Sequence, residues 1–244
     1  MFSGEFINRI KNSKKIAVLT GAGISRESGV PTFRDPDGFW AKYNPQELAS
    51  MHGFMSNPKL VLEWYQMRRH TVNRVEPNPG HFALAVIEQK VPYFTLITQN
   101  VDDLHRRAGS KNIIELHGNI LNDRCNDCYK KYEVMDVEKL DRIPRECECG
   151  GIIRPDVVWF GESLSESNLE RAFYEARECD VFMSIGTSAE VMPAAQLPYI
   201  AKANNSYFVE INYEPTPISD LADETVHGRS GEILPGLLKE LRLE

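Results

Sequence analysis

Short apolar runs recur along the chain, separated by longer stretches with helical spacing of apolar and polar positions. Residues 15–20, 94–98, 113–116, 157–160, 181–185 and 207–211 are apolar almost without interruption, which predicts strands buried on both faces and not strands with one wet face. Strands of that type alternating with helices predict an α/β fold built on a parallel, doubly wound, Rossmann-like sheet. Helix starts fall between them. Asn78-Pro79 reads as a cap followed by proline at the first helical position, and Ser163 with Glu166 resembles a capping box opening a helix toward Glu178.

Two stretches break the alternation. Residues 21–43 are rich in Gly, Pro, Asp and Arg and are too long for an ordinary strand-to-helix turn, the mark of a functional loop. Residues 122–153 are charged, punctuated by cysteine and too poor in apolar side chains to build a core, so a metal is expected to fold them.

With 244 residues and 42% hydrophobic content, the chain can fill one large domain or a large and a small one. Thirty-five acidic against 28 basic residues give a net charge of −7, which repels a phosphate backbone; lysine-bearing protein segments are the easier guests, and direct nucleic-acid binding is not expected. No stretch reaches the roughly 20 apolar residues of a membrane span, and Glu5 and Arg9 interrupt the N-terminus where a signal peptide would stay apolar. No membrane partner and a cytoplasmic address are therefore expected; the oligomeric state is not legible.

Four of the five cysteines lie between 125 and 149, and Cys179 stands apart beside Val181 and Phe182. Cys125-x-x-Cys128, then residues 129–146, then Cys147-x-Cys149-Gly150-Gly151 supply four soft thiolates in two close pairs, the set that tetrahedral zinc takes. With all four positions protein-filled, such a zinc is structural. Free core cysteines are the poorer alternative, because Asn126, Asp127, Glu146 and Glu148 flank them.

Ligand-binding signals gather at strand ends, where open α/β sheets bind ligands. Gly21-Ala22-Gly23-Ile24-Ser25 follows the first run and places small residues where backbone amides can face a pyrophosphate; a plain tight turn serves equally well, since Arg26 stands where a dinucleotide fingerprint has its third glycine. Thr98-Gln99-Asn100-Val101-Asp102, Gly186-Thr187-Ser188 and Asn212-Tyr213-Glu214 each follow an apolar run. Gly186, Thr187 and Ser188 suit phosphate or ribose, and Asn212 a ribose or adenine edge. Each alone reads equally as a helix cap, but four such sites at four strand ends point together to a nucleotide.

With these motifs assembled, the chain resembles the sirtuin family. The resemblance rests on the segment from Gly21 through Ser28-Gly29-Val30-Pro31-Thr32-Phe33-Arg34, on Thr98 to Asp102, on Leu116-His117-Gly118, on the four cysteines, on Gly186-Thr187-Ser188 and on Asn212, in order from about residue 14 to 230. It implies a Rossmann-like NAD-binding domain (1–24, 80–120 and 154–244), a cofactor-binding loop and helical insertion (25–79) and a small inserted zinc-ribbon domain (121–153). NAD would be a consumed co-substrate. Thr32, Phe33, Arg34 and Trp40 would lie on a flexible cofactor loop, with Gly21 to Ser25, Gln99 to Asp102, Gly186 to Ser188 and Asn212 to Glu214 also contacting NAD.

The resemblance further implies protein-lysine deacylation. The acyl oxygen attacks the ribose carbon bearing nicotinamide; His117, the general base, then deprotonates a ribose hydroxyl so that free lysine and acyl-ADP-ribose result. Asn100 and Asp102 would hold nicotinamide and its ribose. An imidazole of ordinary pKa near 6.5 suits the base role. His52, His70, His81, His105 and His227 have no comparable setting and read as structural or surface residues.

On a helix, Tyr65 and Arg68 share one face and can converge on a carboxylate. The pair resembles that of sirtuins removing succinyl and malonyl groups; an amphipathic helix with a core-capping Tyr and a solvated Arg is the plainer alternative. Val157-Val158-Trp159-Phe160-Gly161-Glu162 resembles the segment that pairs with the backbone of an acyl-lysine peptide. A mono-ADP-ribosyltransferase and a non-enzymatic zinc-ribbon binding module are the alternatives to a deacylase.

Overall fold

A computed structural model describes residues 2–31, 48–134 and 144–243. The main sheet contains β1 (Lys15–Thr20), β2 (Tyr93–Thr98), β3 (Ile113–Glu115), β8 (Val181–Ile185), β9 (Tyr207–Asn212) and β10 (Glu224–His227). Their order is β10-β9-β8-β1-β2-β3, and every neighbouring pair is parallel. The apolar runs are continuous because both faces are covered. Ile16 and Val18 point into a cluster with Phe6 of α1 (Gly4–Asn12), Leu84 of α5 (Pro79–Lys90) and Leu234 of α9 (Ser230–Leu241). Ala17 and Leu19 pack on the opposite face against Ala172 of α7 (Glu166–Glu178) and Leu197 of α8 (Leu197–Ala203). β10 escapes the sequence pattern because it is an edge strand in which only Val226 is buried.

A second sheet is antiparallel, with the order β5 (Lys131–Glu133), β4 (Gly118–Cys125), β7 (Ile152–Val157), β6 (Arg145–Glu146). Here the structure corrects the pattern. The expected strand at 157–160 is instead β7, which ends at Val157, and beyond it Phe160 makes only an isolated bridge to Ser50. Arg154, Pro155 and Asp156 hide β7 from any reading of hydrophobic periodicity, yet Arg154 and Pro155 are buried by tertiary partners. The cap of α7 also moves: Ser165, not Ser163, accepts the Asn168 N–H, and Glu166 sits in the first turn, where its charge favours the positive helix end. The Asn78 cap of α5 is as expected, its Oδ1 accepting from Gly80 N–H at 2.9 Å.

α3 (Met51–Ser56) and α4 (Pro58–Arg74) lie against this second sheet, where Phe54, Val61, Trp64 and Tyr65 pack with Ile120, Val157 and Trp159. Buried Arg69 fastens α4 to β4: Nε donates to Ile120 O at 2.6 Å, and the guanidinium pairs with the buried carboxylate of Asp123, which also pairs with Arg145. Among the described residues no helix is long and apolar enough to cross a membrane.

Candidate functional site

The chain runs outward from β1 to β2 and β3, then returns to start again at β8 on the other side of β1, so the sheet has its switch point between β1 and β8. Gly21 to Ser25 leaves β1 there, with α2 formed by Ala22–Arg26, and Gly186 leaves β8 beside it. The approach is too close for side chains. Gly23 N–H donates to Gly186 O at 2.8 Å, and a Cβ on Gly23 would lie 2.7 Å from that oxygen. Gly21 N–H donates to Ile185 O at 3.1 Å. These two amides therefore close the crevice floor and do not point at a pyrophosphate, a correction to the motif read from the sequence. Gln99 spans the crevice, its Nε2 donating to Thr187 Oγ1 at 2.9 Å, and Ser188 is half-buried beside it.

A buried polar chain lies beneath Asn100 and Asp102. Asn100 Nδ2 donates to Gly21 O at 3.0 Å and to Ser25 Oγ at 3.2 Å, while Asn100 N–H donates to Thr98 Oγ1 at 3.0 Å. Ser25 hydrogen-bonds the Asp102 carboxylate, which also accepts the Leu104 N–H at 3.0 Å, and burial raises the Asp102 pKa. Val101 is half-buried and its carbonyl accepts from Ile120 N–H. His81 enters from α5. Its Nδ1 accepts from Asn78 N–H at 3.3 Å, so the ring proton is on Nε2, which faces Ser25 Oγ at 3.4 Å. His105 packs against it with ring centroids 4.8 Å apart and contacts Thr20 Oγ1 at 3.0 Å. Sequence reasoning passed over both histidines. The available signal was His81 at the third helical position after Asn78, where a side chain reaches back to a cap.

Burial pulls the His81 pKa down to about 4. In the unfolded chain an imidazole titrates near 6.5, so the unfolded state takes up a proton first as pH falls. Stability is expected to drop between pH 6.5 and pH 4 by roughly 3 kcal/mol from this group. Denaturant unfolding at pH 7 and pH 5 measures about 2 kcal/mol of it. A His81→Gln variant should lose much of that pH dependence; an unchanged slope would assign it elsewhere.

His117 follows β3 and faces the same crevice. Its Nδ1 sits 2.9 Å from Gln99 O, and a carbonyl can only accept, so Nδ1 carries the proton and Nε2 holds the lone pair. Burial lowers its pKa, partly offset by the Gln99 bond, so the ring is neutral near pH 7. The next residue must be glycine: Gly118 has φ +79°, and a Cβ there would lie 2.1 Å from Asp156 O, where β4 pairs with β7.

Tyr65 is buried at 2% exposure and accepts a hydrogen bond from Trp159 Nε1 at 2.8 Å. Arg68 is half-buried, hydrogen-bonds Tyr65, stacks 4.8 Å over the Trp64 ring and is drawn toward Asp102. The arginine is thus held among aromatic rings and is not simply solvated. Of 157–162, Val157 and Trp159 are buried and Phe160 is 52% exposed. Val158 N–H donates to His117 O, Trp159 N–H to the Glu162 carboxylate, Phe160 N–H to Ala49 O and Glu162 N–H to Trp159 O. Gly161 takes φ +87° between them.

Asn212 ends β9, its Nδ2 donating to Glu214 O at 2.8 Å and so shaping the turn that exposes Tyr213 and Glu214. Thr32, Phe33, Arg34 and Trp40 lie outside the described residues.

The sulfur atoms of Cys125, Cys128, Cys147 and Cys149 lie within 4.8 Å of one another, with Cys125–Cys149 at 3.5 Å and Cys128–Cys147 at 3.6 Å. Zinc–sulfur bonds of about 2.3 Å make a tetrahedron with edges of about 3.8 Å, so the four thiols fit a structural zinc. Asp127 and Cys128 N–H groups point at Cys125 Sγ, and Tyr132 O–H donates to Cys147 Sγ at 3.0 Å, the outer bonds that orient metal thiolates. Cys179 is the buried core thiol its context suggests, against Ser206 Oγ at 3.4 Å.

A Sir2 family model matches residues 21–193. The NAD-dependent protein deacylase of Pyrococcus furiosus is 48% identical over 248 residues, covering 98% of each chain. Among solved structures, a Sir2 homolog–NAD complex superposes with a TM-score of 0.94 at 42% identity, covering 100% of this chain and 96% of the other. A Sir2 bound to an acetylated peptide superposes with a TM-score of 0.90 at 34% identity, covering all of both chains.

Proposed function

The chain belongs to the Sir2 family and is an NAD-dependent protein deacylase, and on that premise we propose that it removes succinyl and malonyl groups from lysine as well as acetyl. The observation that carries this is the Tyr65 oxygen. It takes hydrogen bonds from Trp159 and Arg68, and burial raises its pKa, so the phenol keeps its proton and remains a donor beside the guanidinium. A phenol proton beside a guanidinium is a carboxylate receptor, and neither group is needed for an acetyl methyl. Arg68→Met is expected to lower kcat/KM for a succinyl-lysine peptide by about 100-fold, in line with a charge-assisted pair, and to change acetyl-lysine turnover only a few-fold. Equal losses on both peptides, read by mass spectrometry, discard the clamp.

In this reading His117 Nε2 takes the proton from a ribose hydroxyl of NAD, the consumed co-substrate. Asn100 and Asp102 hold the nicotinamide end, braced by Ser25 and His81. Gly186, Thr187, Ser188 and Asn212 to Glu214 line the adenosine side of the crevice, with Ala22 and Ile24 at its floor. The peptide lies along 157–162. Because four amides of that segment are already engaged, as are the Val157 and Trp159 carbonyls, it meets the peptide through Gly161 N–H and its other carbonyl groups. The three regions 1–24 with 80–120 and 154–244, 25–79, and 121–153 serve as NAD-binding core, cofactor insertion and zinc module. A cytoplasmic address agrees with thiols kept reduced for a metal. An ADP-ribosyltransferase is not favoured, since the relatives are named as deacylases.

A further inference from the structure

One side chain joins the zinc knuckle to the acyl-lysine site. Arg154, in β7, is 0% exposed, and its guanidinium is engaged on every side. Nε donates at 3.0 Å to Oδ1 of Asn126, the residue next to Cys125. Nη1 donates to Val157 O at 3.1 Å, and Nη2 donates to the Glu162 carboxylate. The planar group lies over the Trp159 ring, 3.9 Å from its centroid. Glu162 in turn accepts the Trp159 N–H at 2.8 Å, and Trp159 Nε1 ends on Tyr65. A guanidinium is a rigid planar fork, so these contacts set the tilt of the indole and, through it, the direction of the Tyr65 hydroxyl. A buried charge with one partner carboxylate is weak support for stability alone. A group that meets the knuckle, the peptide segment and the indole at once has a geometric task.

We propose that Arg154 is a positioning residue for acyl-lysine binding, transmitting the geometry of the zinc knuckle through Trp159 and Glu162 to the 157–162 segment. The inference rests on the deacylase activity and not on the acidic-acyl preference, so it is tested with an acetyl-lysine peptide. Arg154→Met combined with Glu162→Gln removes both charges of the pair, and Arg124, which also meets Glu162, keeps Asp156 as its partner. In that variant the peptide KM is expected to rise about tenfold or more while ADP-ribose affinity stays within about twofold and zinc remains at one per chain. Arg154→Lys, which restores charge without the fork, is expected to leave the peptide KM raised. Asn126→Ala, which cuts only the link to the knuckle, is expected to raise it about two- to threefold with zinc retained. Recovery of peptide KM in Arg154→Lys would show that charge balance alone matters and would overturn the proposal. Parallel losses of ADP-ribose affinity and peptide KM would do the same by revealing a general loss of structure, and an unchanged KM in Asn126→Ala would remove the knuckle from the path.

Discussion

Replacing His117 with alanine is expected to lower kcat by about 10²- to 10⁴-fold with little change in ADP-ribose affinity, because the side chain removed supplies a proton acceptor and not a binding surface. The geometry also fixes the pH dependence. Gln99 O accepts from Nδ1 and leaves Nε2 as the base, while burial lowers the imidazole pKa. The active form is the neutral ring, so the acid limb of the kcat/KM profile should have its midpoint below the ordinary imidazole value of about 6.5. A midpoint above that value, or a His117→Ala enzyme with wild-type kcat, would remove His117 from the base role.

Chelation of zinc, or Cys147→Ser, is expected to unfold the knuckle while the parallel sheet persists. Among the described residues the apolar cluster around the four thiols consists of Cys125, Cys147 and Ile153 with Tyr132 partly buried against them, far too little to order β5 and β6 without a metal. Metal binding in such modules is worth on the order of 10 kcal/mol, all of it folding energy. Hydrogen exchange should therefore lose protection in β5, β6 and the cysteine-proximal ends of β4 and β7 on chelation, and keep it in β1, β2, β8 and β9, whose two apolar layers are independent of the metal. Retained protection around Cys125 and Cys147 in metal-free protein would show that the module folds without zinc.

The parallel core was legible because it is buried on both faces. Ile16 to Leu19 are apolar at every position and Val181 to Ile185 at all but Ser184, and the motifs read as ligand-binding follow at the strand ends. The cysteine spacing was legible because a tetrahedral ion needs four donors whatever the surrounding fold. The second sheet was not. β7 is formed by Ile152-Ile153-Arg154-Pro155-Asp156-Val157, a sequence with the look of a loop, and it becomes a buried strand because Glu162, Asn126 and Trp159 satisfy Arg154. β10 was missed for the opposite reason, an edge position with a single buried side chain.

The site divides along the same line. His117, Asn100, Asp102 and the four cysteines stand in local motifs that the chain displays by itself, since a strand end or a thiol pair is a property of neighbouring residues. Local sequence also allowed Gly21 and Gly23 to be read as anion donors; packing against Ile185 and Gly186 decided that their amides close the crevice floor. Tertiary structure alone brought His81 under Ser25 and Arg154 over Trp159. Ser25 and His81 are far apart in the chain, and Arg154 reaches Trp159 only because the chain turns after β7; a hydrogen bond or a stacked cation is specified by where the fold delivers both partners, which no local pattern encodes.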